Sequence, residues 1–263
     1  MPTADSVKNK LQGLIATANE ATGSSDTTLT AAVNTLVSGY GQGSGGGEIA
    51  KSIINKSVTS IDFDGLNVTE IGDYSFYNCN NLANIETKNV TMVGSYAFNN
   101  CSSLTAIDFP VATKIGGRAF LGCTSLLSVN IPNAAFTSAH SSVLEGCTKL
   151  QTIRNIQGSL ANKFLAYCTA LESAYLTHVT KFVGAQIFIG CSVLKTVVLP
   201  HTALVTLSNV NVFADTPFAA GGTGGTVYVP AALIPEYQTA TNWSTLYAAG
   251  TCNFVAIEGS EYE

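Results

Sequence analysis

The chain has 263 residues, of which 11% are charged, and 12 Lys and Arg against 17 Asp and Glu give a formal net charge of -5. This weakly acidic balance argues against a nucleic-acid partner, because such proteins carry a basic patch or stripe. No apolar run reaches the roughly 18 residues that a membrane span needs. The first residues also lack the apolar core of a secretory signal. Either the chain starts naturally at Met1 without secretion, or a signal was removed and a Met supplied.

The first 47 residues predict an anchor followed by a linker. Apolar residues recur at helical spacing on both sides of a turn, so we expect a helical hairpin over residues 1–40. Two short amphipathic helices cannot bury their apolar stripes alone, and we expect them to dock on a virion, on a surface anchor or on a second copy of the chain. Residues 41–47 are glycine-rich and predict a flexible linker. Their G-x-G-x-x-G spacing would bind a dinucleotide only between a strand and a helix, which are not predicted there.

The region that follows repeats one unit every 21 to 24 residues. In six copies a cysteine is followed by Leu three residues later and by a core-type residue six residues later, and it is preceded by Phe or Leu three residues earlier. This period and spacing indicate a leucine-rich-repeat solenoid. We therefore predict an α/β repeat fold over residues 48–226, a horseshoe with a parallel sheet on its concave side. The aligned cysteines are Cys79, Cys101, Cys123, Cys147, Cys168 and Cys191.

Each repeat divides into a predicted strand and a predicted return path. The strand covers positions three to eight after the cysteine, and Pro110, Pro132 and Pro200 stand just beyond it, where proline ends strand pairing. The return path, I-G-x-x-A-F-x-x-C, predicts a turn and a short helix. His140 and Ala161 replace its glycine in repeats four and five, so we expect a local irregularity there.

Two partial units bracket the six repeats. Residues 58–63 predict a half repeat that starts the stack, and in a seventh unit Phe213 and Thr216 align with the phenylalanine and cysteine positions. Residues 227–263 predict a C-terminal cap with a helix and a last strand, because a solenoid must shield its terminal layer. We expect Trp243, the only tryptophan, to anchor this cap rather than to form a ligand platform.

The sequence offers little for catalysis. Cysteines on neighbouring turns could approach within disulfide range, but we favour buried, reduced thiols that behave as small apolar side chains. No C-x-x-C, H-E-x-x-H or G-x-S-x-G motif occurs. We therefore predict no enzymatic activity, no catalytic residue, no metal site and no cofactor. The remaining enzymatic alternative is a glycan-active acid pair, Glu86 and Asp108, on consecutive strands.

A ligand would meet the row of side chains seven residues after each cysteine, which strand alternation directs away from the core. This outer row is polar, acidic at one end, and carries a cation beside an aromatic ring further along. Carboxylates, amides and an aromatic ring suit a sugar or a peptide, although an exposed sheet face is polar without any ligand. The predicted binding residues are Asp62, Glu86, Asp108, Asn130, Arg154 and Tyr175.

Two resemblances give these patterns a context. The unit Ile115-Gly116-x-x-Ala119-Phe120-x-x-Cys123-x-x-Leu126-x-x-Val129-x-Ile131-Pro132 resembles the BspA-like bacterial leucine-rich repeats, and residues 227–248 are similar to the cap common in that family. The family resemblance implies a surface-exposed adhesion or recognition protein that binds matrix proteins, cells or glycans. Residues 1–47 resemble the opening of virion and tail-associated proteins of phages.

The sequence therefore predicts a non-enzymatic recognition protein. We expect a phage or prophage virion component, located at the virion surface, whose repeats bind a cell-surface glycan or protein. The alternative is a bacterial cell-surface or extracellular adhesin of the BspA-like type that binds host matrix proteins or glycans.

Overall fold

The computed structural model describes residues 60–62, 69–137 and 139–263. The helical hairpin predicted for residues 1–40 and the linker predicted for residues 41–47 lie outside these residues. Within the described part, no helix has both the length and the apolar character to cross a membrane.

The chain winds into a solenoid in which each turn up to β14 adds one strand to each of two series of parallel strands; β15 and β16 extend the first series alone. The first series contains β1 (Ser60–Asp62), β3 (Asn84–Glu86), β5 (Ala106–Asp108), β7 (Ser128–Asn130), β9 (Thr152–Arg154), β11 (Ser173–Tyr175), β13 (Thr196–Val198), β15 (Gly225–Val229) and β16 (Cys252–Ala256). The second contains β2 (Glu70–Ile71), β4 (Met92–Val93), β6 (Lys114–Ile115), β8 (Ala135–Phe136), β10 (Gln157–Leu160), β12 (His178–Phe182) and β14 (Thr206–Leu207).

Ladder pairing joins these strands in segments. The first series pairs as β1-β3, β5-β7 and β9-β11-β13-β15-β16, and the second as β2-β4-β6 and β8-β10-β12-β14. Pairing is parallel and, apart from one shift between β10 and β12, in register, so that residues at equivalent repeat positions lie side by side, as Ala174 does with Ile153 and with Val197. The three residues of each repeat strand are those five, six and seven positions after the cysteine. The predicted strand position is therefore confirmed, with a shorter length, and the predicted boundary at residue 226 falls inside β15.

The core is a set of columns, each made of one repeat position. Phenylalanines three residues before the cysteines stack face to face, with ring centroids 5.0 Å apart for Phe76 and Phe98 and 5.4 Å apart for Phe98 and Phe120. Phe188 and Phe213 repeat this geometry at 5.3 Å, which places the seventh unit in the same column. Stacked identical positions give every layer the same environment, and each buried Leu, Ile or Phe stabilises the fold by about 1.5–3 kcal/mol.

The short helix predicted for the return paths is wrong for the six cysteine repeats, where the structure has successive turns. Two residues in the left-handed region interrupt right-handed helical geometry in each path, such as Tyr74 and Asn78, both with φ of 59°. The second of them is a glycine in three of the six paths, at Gly122, Gly146 and Gly190. The backbone instead bonds to the next turn, as the Phe76 N–H does to the Ala97 carbonyl at 2.7 Å. Helices in the described residues are short: 3₁₀ helices Val210–Phe213 and Ala231–Leu233, α1 (Ile234–Thr239) and α2 (Trp243–Ala248).

The structure has a register shift near one of the two repeats in which an irregularity was predicted, repeat five. The pairing of β10 with β12 shifts register between Gly158 and Ser159. In the positions where glycine would stand, His140 accepts the Thr137 N–H at Nδ1, and the Ala161 side chain is buried.

Residues beyond β15 pack against the last turn of the solenoid. Trp243 is fully buried, donates its indole N–H to the Val205 carbonyl at 2.8 Å, and contacts the rings of Phe182 and Phe213. The Tyr237 hydroxyl oxygen accepts a hydrogen bond from the Val205 N–H at 2.9 Å. The single predicted helix is split in two, with Asn242 at a φ of 69° between α1 and α2. The assignment of residues 227–263 to a family-type cap stays a prediction.

The cysteines form a further buried column. Each thiol from the second repeat onward donates to the carbonyl of the Phe or Leu in the preceding turn, at 3.1 Å for Cys101 to Phe76 and 3.2 Å for Cys123 to Phe98. All seven cysteines are free thiols and buried. Burial raises the pKa of Cys79 to about 12 and that of Cys123 well above its ordinary value, because a thiolate in an apolar core loses its hydration.

The native protein is therefore expected to resist thiol alkylation. A small maleimide at neutral pH should leave the native chain unlabelled and add seven labels in guanidinium chloride, because the thiolate is the reactive form. Intact mass spectrometry gives the number of labels. Ser128→Cys, at an exposed position of β7, is the matched control and should take one label without denaturant. Rapid labelling of the native column would contradict this assignment.

Candidate binding face

Buried and outward side chains alternate along β5 and β9 of the first series. In β5 the middle residue Ile107 is buried while Ala106 and Asp108 are exposed, and β9 repeats the pattern with Ile153 buried and Arg154 exposed. Because β-strand side chains alternate between faces, parallel in-register pairing gathers these outward residues into continuous rows. The outer row is therefore built by the repeat itself.

The first part of the outer row is acidic and amidic. The register sets Asp62 opposite Glu86 in the neighbouring strand, and Asp108 opposite Asn130. The Asn130 side-chain amide donates to Asp108 Oδ1 at 2.6 Å, and both side chains are exposed. This pair presents both donors and acceptors to a ligand.

The middle of the outer row holds a cation–π pair. Tyr175 lies opposite Arg154 in the register of β11 and β9, and the guanidinium carbon of Arg154 is 3.6 Å from the centroid of the Tyr175 ring. Such contacts are attractive because the ring face carries negative quadrupole charge. The pair orients two long side chains before any ligand arrives, which lowers the entropy that binding would lose.

The structure adds two residues that the sequence did not single out. Tyr228 continues the outer row on β15, since it lies opposite Val198, which lies opposite Tyr175. The sequence does carry a signal for Tyr228, because it alternates with two apolar residues in the strand Val227-Tyr228-Val229. The structure buries both valines. Tyr262 lies outside every repeat, so no repeat spacing could find it.

Tyr262 lies between the two tyrosines of the outer row. Its ring centroid is 5.4 Å from that of Tyr175 and 4.5 Å from that of Tyr228, with interplanar angles of 64° and 63°. A hydrogen bond with Glu261 is the main reason that the pKa of the Tyr262 phenol is raised to about 12. Val198, which stands between the two flanking tyrosines in the register, is 2% exposed although it belongs to the outer row.

Four of the six predicted binding residues form two contacting pairs. Asp108 and Asn130 are joined by a hydrogen bond, and Arg154 and Tyr175 by the cation–π contact. For Asp62 and Glu86 the structure gives backbone pairing.

Groups suited to chemistry are few in the described residues. No cluster of three or more His, Cys, Asp or Glu there could hold a metal ion. The His201 Nε2–H donates to the Leu176 carbonyl at 2.7 Å, and burial lowers the pKa of this half-buried ring. Burial raises the pKa of the Cys79 and Cys123 thiols and keeps them protonated at neutral pH, which makes them poor nucleophiles. The acid pair Glu86 and Asp108 stays an untested alternative, with Asp108 engaged by Asn130.

Several solved structures are similar to this chain. A leucine-rich repeat protein from Bacteroides ovatus is 20% identical, with 78% of this chain and 64% of that chain covered and a TM-score of 0.40. A leucine-rich cell surface protein from Faecalibacterium prausnitzii is 18% identical, with coverages of 62% and 59% and a TM-score of 0.35. The leucine-rich repeat protein of T. pallidum is 19% identical, with coverages of 75% and 86% and a TM-score of 0.37.

The chain therefore spans 64% of the length of the Bacteroides ovatus protein. No curated protein matches the chain. The model of the BspA type leucine-rich repeat region matches in six copies, over residues 50–162 and 158–218. Since these matches extend over more than half of the sequence and coincide with the observed turns, the protein belongs to the BspA-type leucine-rich-repeat family.

Proposed function

We propose that this chain is a surface-displayed recognition protein that binds a glycan or protein through its outer row. The observation that carries this proposal is the preformed Arg154–Tyr175 pair, exposed on a sheet whose backbone and core are fixed by the repeats. An exposed cation beside an aromatic ring can meet a sugar ring or a peptide side chain through both charge and stacking. Membership in the BspA-type family supports a binding role of this kind.

A non-enzymatic role fits the same geometry. The outer row is an open sheet face, whereas catalysis needs a site that excludes water and positions reacting groups. Binding to an extended surface needs neither, because a row of polar and aromatic side chains can contact many units of a polymer at once.

The test is binding of the full, labelled chain to isolated bacterial cell walls and to an array of animal matrix proteins and glycans. We expect Arg154→Ala and Tyr175→Ala each to weaken binding by about tenfold, as is usual for central Arg and Tyr contacts. Both variants should keep the thermal stability of the wild type, because Arg154 is exposed and Tyr175 half-buried.

The chain offers a matched control on another face. Arg118 lies over the Tyr96 ring at 5.3 Å, in the return paths rather than in the outer row. Arg118→Ala should therefore leave binding unchanged. If Arg154→Ala binds a ligand of the wild type with full affinity, the outer row is not the binding face.

The same array separates two modes of display. Binding to matrix proteins or host glycans would support a cell-surface adhesin, whereas binding to walls would support host recognition by a phage particle. The virion hypothesis rests on residues 1–47, which lie outside the described residues, and it stays a prediction. Purified particles that lack the chain by mass spectrometry would count heavily against it.

A further inference from the structure

We propose that the slot between Tyr175 and Tyr228 is a binding site for an acidic, tyrosine-bearing peptide segment, and that the chain's own residues 259–263 occupy it as a built-in competitor. The inference rests on the proposed function of the outer row and adds a ligand class and a form of regulation. It is carried by the way in which Tyr262 is held.

The slot is formed by the register of three strands. Tyr175 on β11 and Tyr228 on β15 flank Val198 on β13, so the two rings stand two strands apart with an apolar floor between them. Strand spacing of about 4.8 Å leaves roughly 10 Å between the flanking positions, which is room for one further ring. Arg154 borders the slot on the far side of Tyr175, with its guanidinium 3.6 Å from that ring.

The occupant of the slot shows what the slot accepts. Tyr262 contacts both flanking tyrosines in tilted geometry, with ring centroids at 5.4 Å and 4.5 Å, a preferred arrangement for aromatic pairs. Its sequence neighbours are Glu261 and Glu263. A phenol ring flanked by carboxylates therefore fits this place, and Arg154 gives its border a positive charge.

The segment is attached to the sheet mainly by this ring. In the part of the chain that the structure describes, the hydrogen bonds of residues 259–263 stay within residues 257–263, such as the Tyr262 N–H to Ser260 Oγ at 3.2 Å and the Gly259 N–H to Glu263 Oε2 at 2.8 Å. The hydrogen bond to the rest of the protein that lies next to this segment in sequence is made by Glu258, whose carboxylate accepts the Ala231 N–H at 3.0 Å. Residues 259–263 can therefore leave the slot without breaking a ladder hydrogen bond, and a partner with the same chemistry can replace them.

The experiment uses the full chain and the peptide acetyl-Gly-Ser-Glu-Tyr-Glu-amide, observed by saturation-transfer NMR at millimolar concentration. In the wild type Tyr262 occupies the slot. The apparent affinity for the peptide is therefore the affinity of the open slot multiplied by the fraction of molecules in which the slot is open. We expect Tyr262→Ala to bind the peptide at least about tenfold more tightly than the wild type. Ser260→Ala, which removes the acceptor of the Tyr262 N–H, should bind with intermediate affinity.

The controls fix the location and the chemistry. Adding Tyr228→Ala to Tyr262→Ala should abolish binding, and the peptide with Ala in place of Tyr should not bind to any variant. Thermal melting of Tyr262→Ala should stay within about 4 °C of the wild type, which corresponds to a small change in stability.

Three outcomes overturn the inference. The first is that Tyr262→Ala melts like the wild type and does not bind the peptide. The second is that Tyr262→Ala loses much of its thermal stability, which would show that residues 259–263 are part of the folded core. The third is binding of an N-acetylglucosamine trisaccharide by Tyr262→Ala without binding of the peptide. Each result leaves the array test with Arg154→Ala independent, so failure of the slot and failure of the outer row are distinguishable.

Discussion

Gly116→Ala is expected to destabilise the protein strongly. A Cβ atom added to Gly116 would lie 2.3 Å from the backbone nitrogen of Ser95 and 2.6 Å from the carbonyl carbon of Gly94. Both atoms belong to the backbone of the preceding turn, which cannot rotate away as a side chain could. Overpacking of a well-packed site costs about 1–3 kcal/mol and occasionally more, and we expect the upper end of this range. Chemical denaturation with urea gives the free energy of unfolding.

The adjacent glycine is a matched control. A Cβ atom on Gly117 would meet its nearest neighbour, the Ser141 carbonyl oxygen, at 3.5 Å, which is an ordinary contact. Neither glycine has a positive φ, so backbone strain does not distinguish the two sites. Gly117→Ala should therefore change the free energy of unfolding by no more than about 0.5 kcal/mol. Equal effects of the two substitutions would show that close approach of the turns is not what requires glycine.

Alkaline pH is expected to unfold the protein cooperatively. Burial raises the pKa of Cys79 and Cys252 to about 12, and it raises those of Cys101, Cys123, Cys147 and Cys168 as well, from the ordinary value of 9.0. Above pH 9 the folded protein therefore keeps these thiols protonated, whereas the thiols of the unfolded chain release their protons. The stabilisation is complete below the unfolded pKa and is lost as the pH rises toward the folded pKa.

The size of this effect follows from linkage. Each thiol that ionises only in the unfolded chain lowers the free energy of unfolding by about 1.4 kcal/mol per pH unit. Six such thiols lower it by about 8 kcal/mol per pH unit, which is comparable with the whole stability of a typical domain, about 5–15 kcal/mol. We expect the transition to lie between about pH 10 and 11 under reducing conditions, where oxidation cannot intervene.

Circular dichroism in a pH titration, combined with urea denaturation at several pH values, measures the number of protons released. Cys123→Ser is the informative variant, because its hydroxyl can still donate to the Phe98 carbonyl but does not ionise in this range. It should be less stable at neutral pH and should release about one proton fewer on alkaline unfolding. A free energy of unfolding that does not change between pH 8 and about pH 10.5 would contradict the thiol assignment.

Sequence reasoning was most successful where the repeat itself carries the information. Cysteine spacing located the strands, and the leucine, isoleucine and phenylalanine positions identified the buried columns that the structure shows. This succeeded because each turn rests on an equivalent turn, so that one environment is repeated and the same residue type satisfies it several times. Strand alternation predicted Arg154 and Tyr175 side by side on the outer row, but it failed at Val198, which is buried.

The backbone conformation of the return paths could not be predicted from the sequence. In the motif I-G-x-x-A-F-x-x-C the apolar residues have helical spacing. The chain there nevertheless forms turns that contain left-handed residues such as Tyr96 and Arg118. Left-handed geometry at a non-glycine residue costs about 1–2 kcal/mol and has no reliable sequence signature. It is tolerated because the backbone gains hydrogen bonds to the next turn, as Tyr96 N–H does to the Gly117 carbonyl at 3.1 Å. That compensation exists only when turns are stacked.

The amino-acid sequence by itself determined the repeat period, the strand positions, the buried thiol column and the part of the outer row that lies in the cysteine repeats, because all of these depend on spacing along one turn. Only the tertiary structure decided where Tyr262 lies, since nothing in its local sequence connects it to strands formed some 35 to 90 residues earlier. The tertiary structure also decided which outer-row side chains contact each other: it places the Arg154 guanidinium over the Tyr175 ring and joins the Asn130 amide to Asp108 Oδ1. Contacts between turns fix both results, and such contacts arise when the chain is wound.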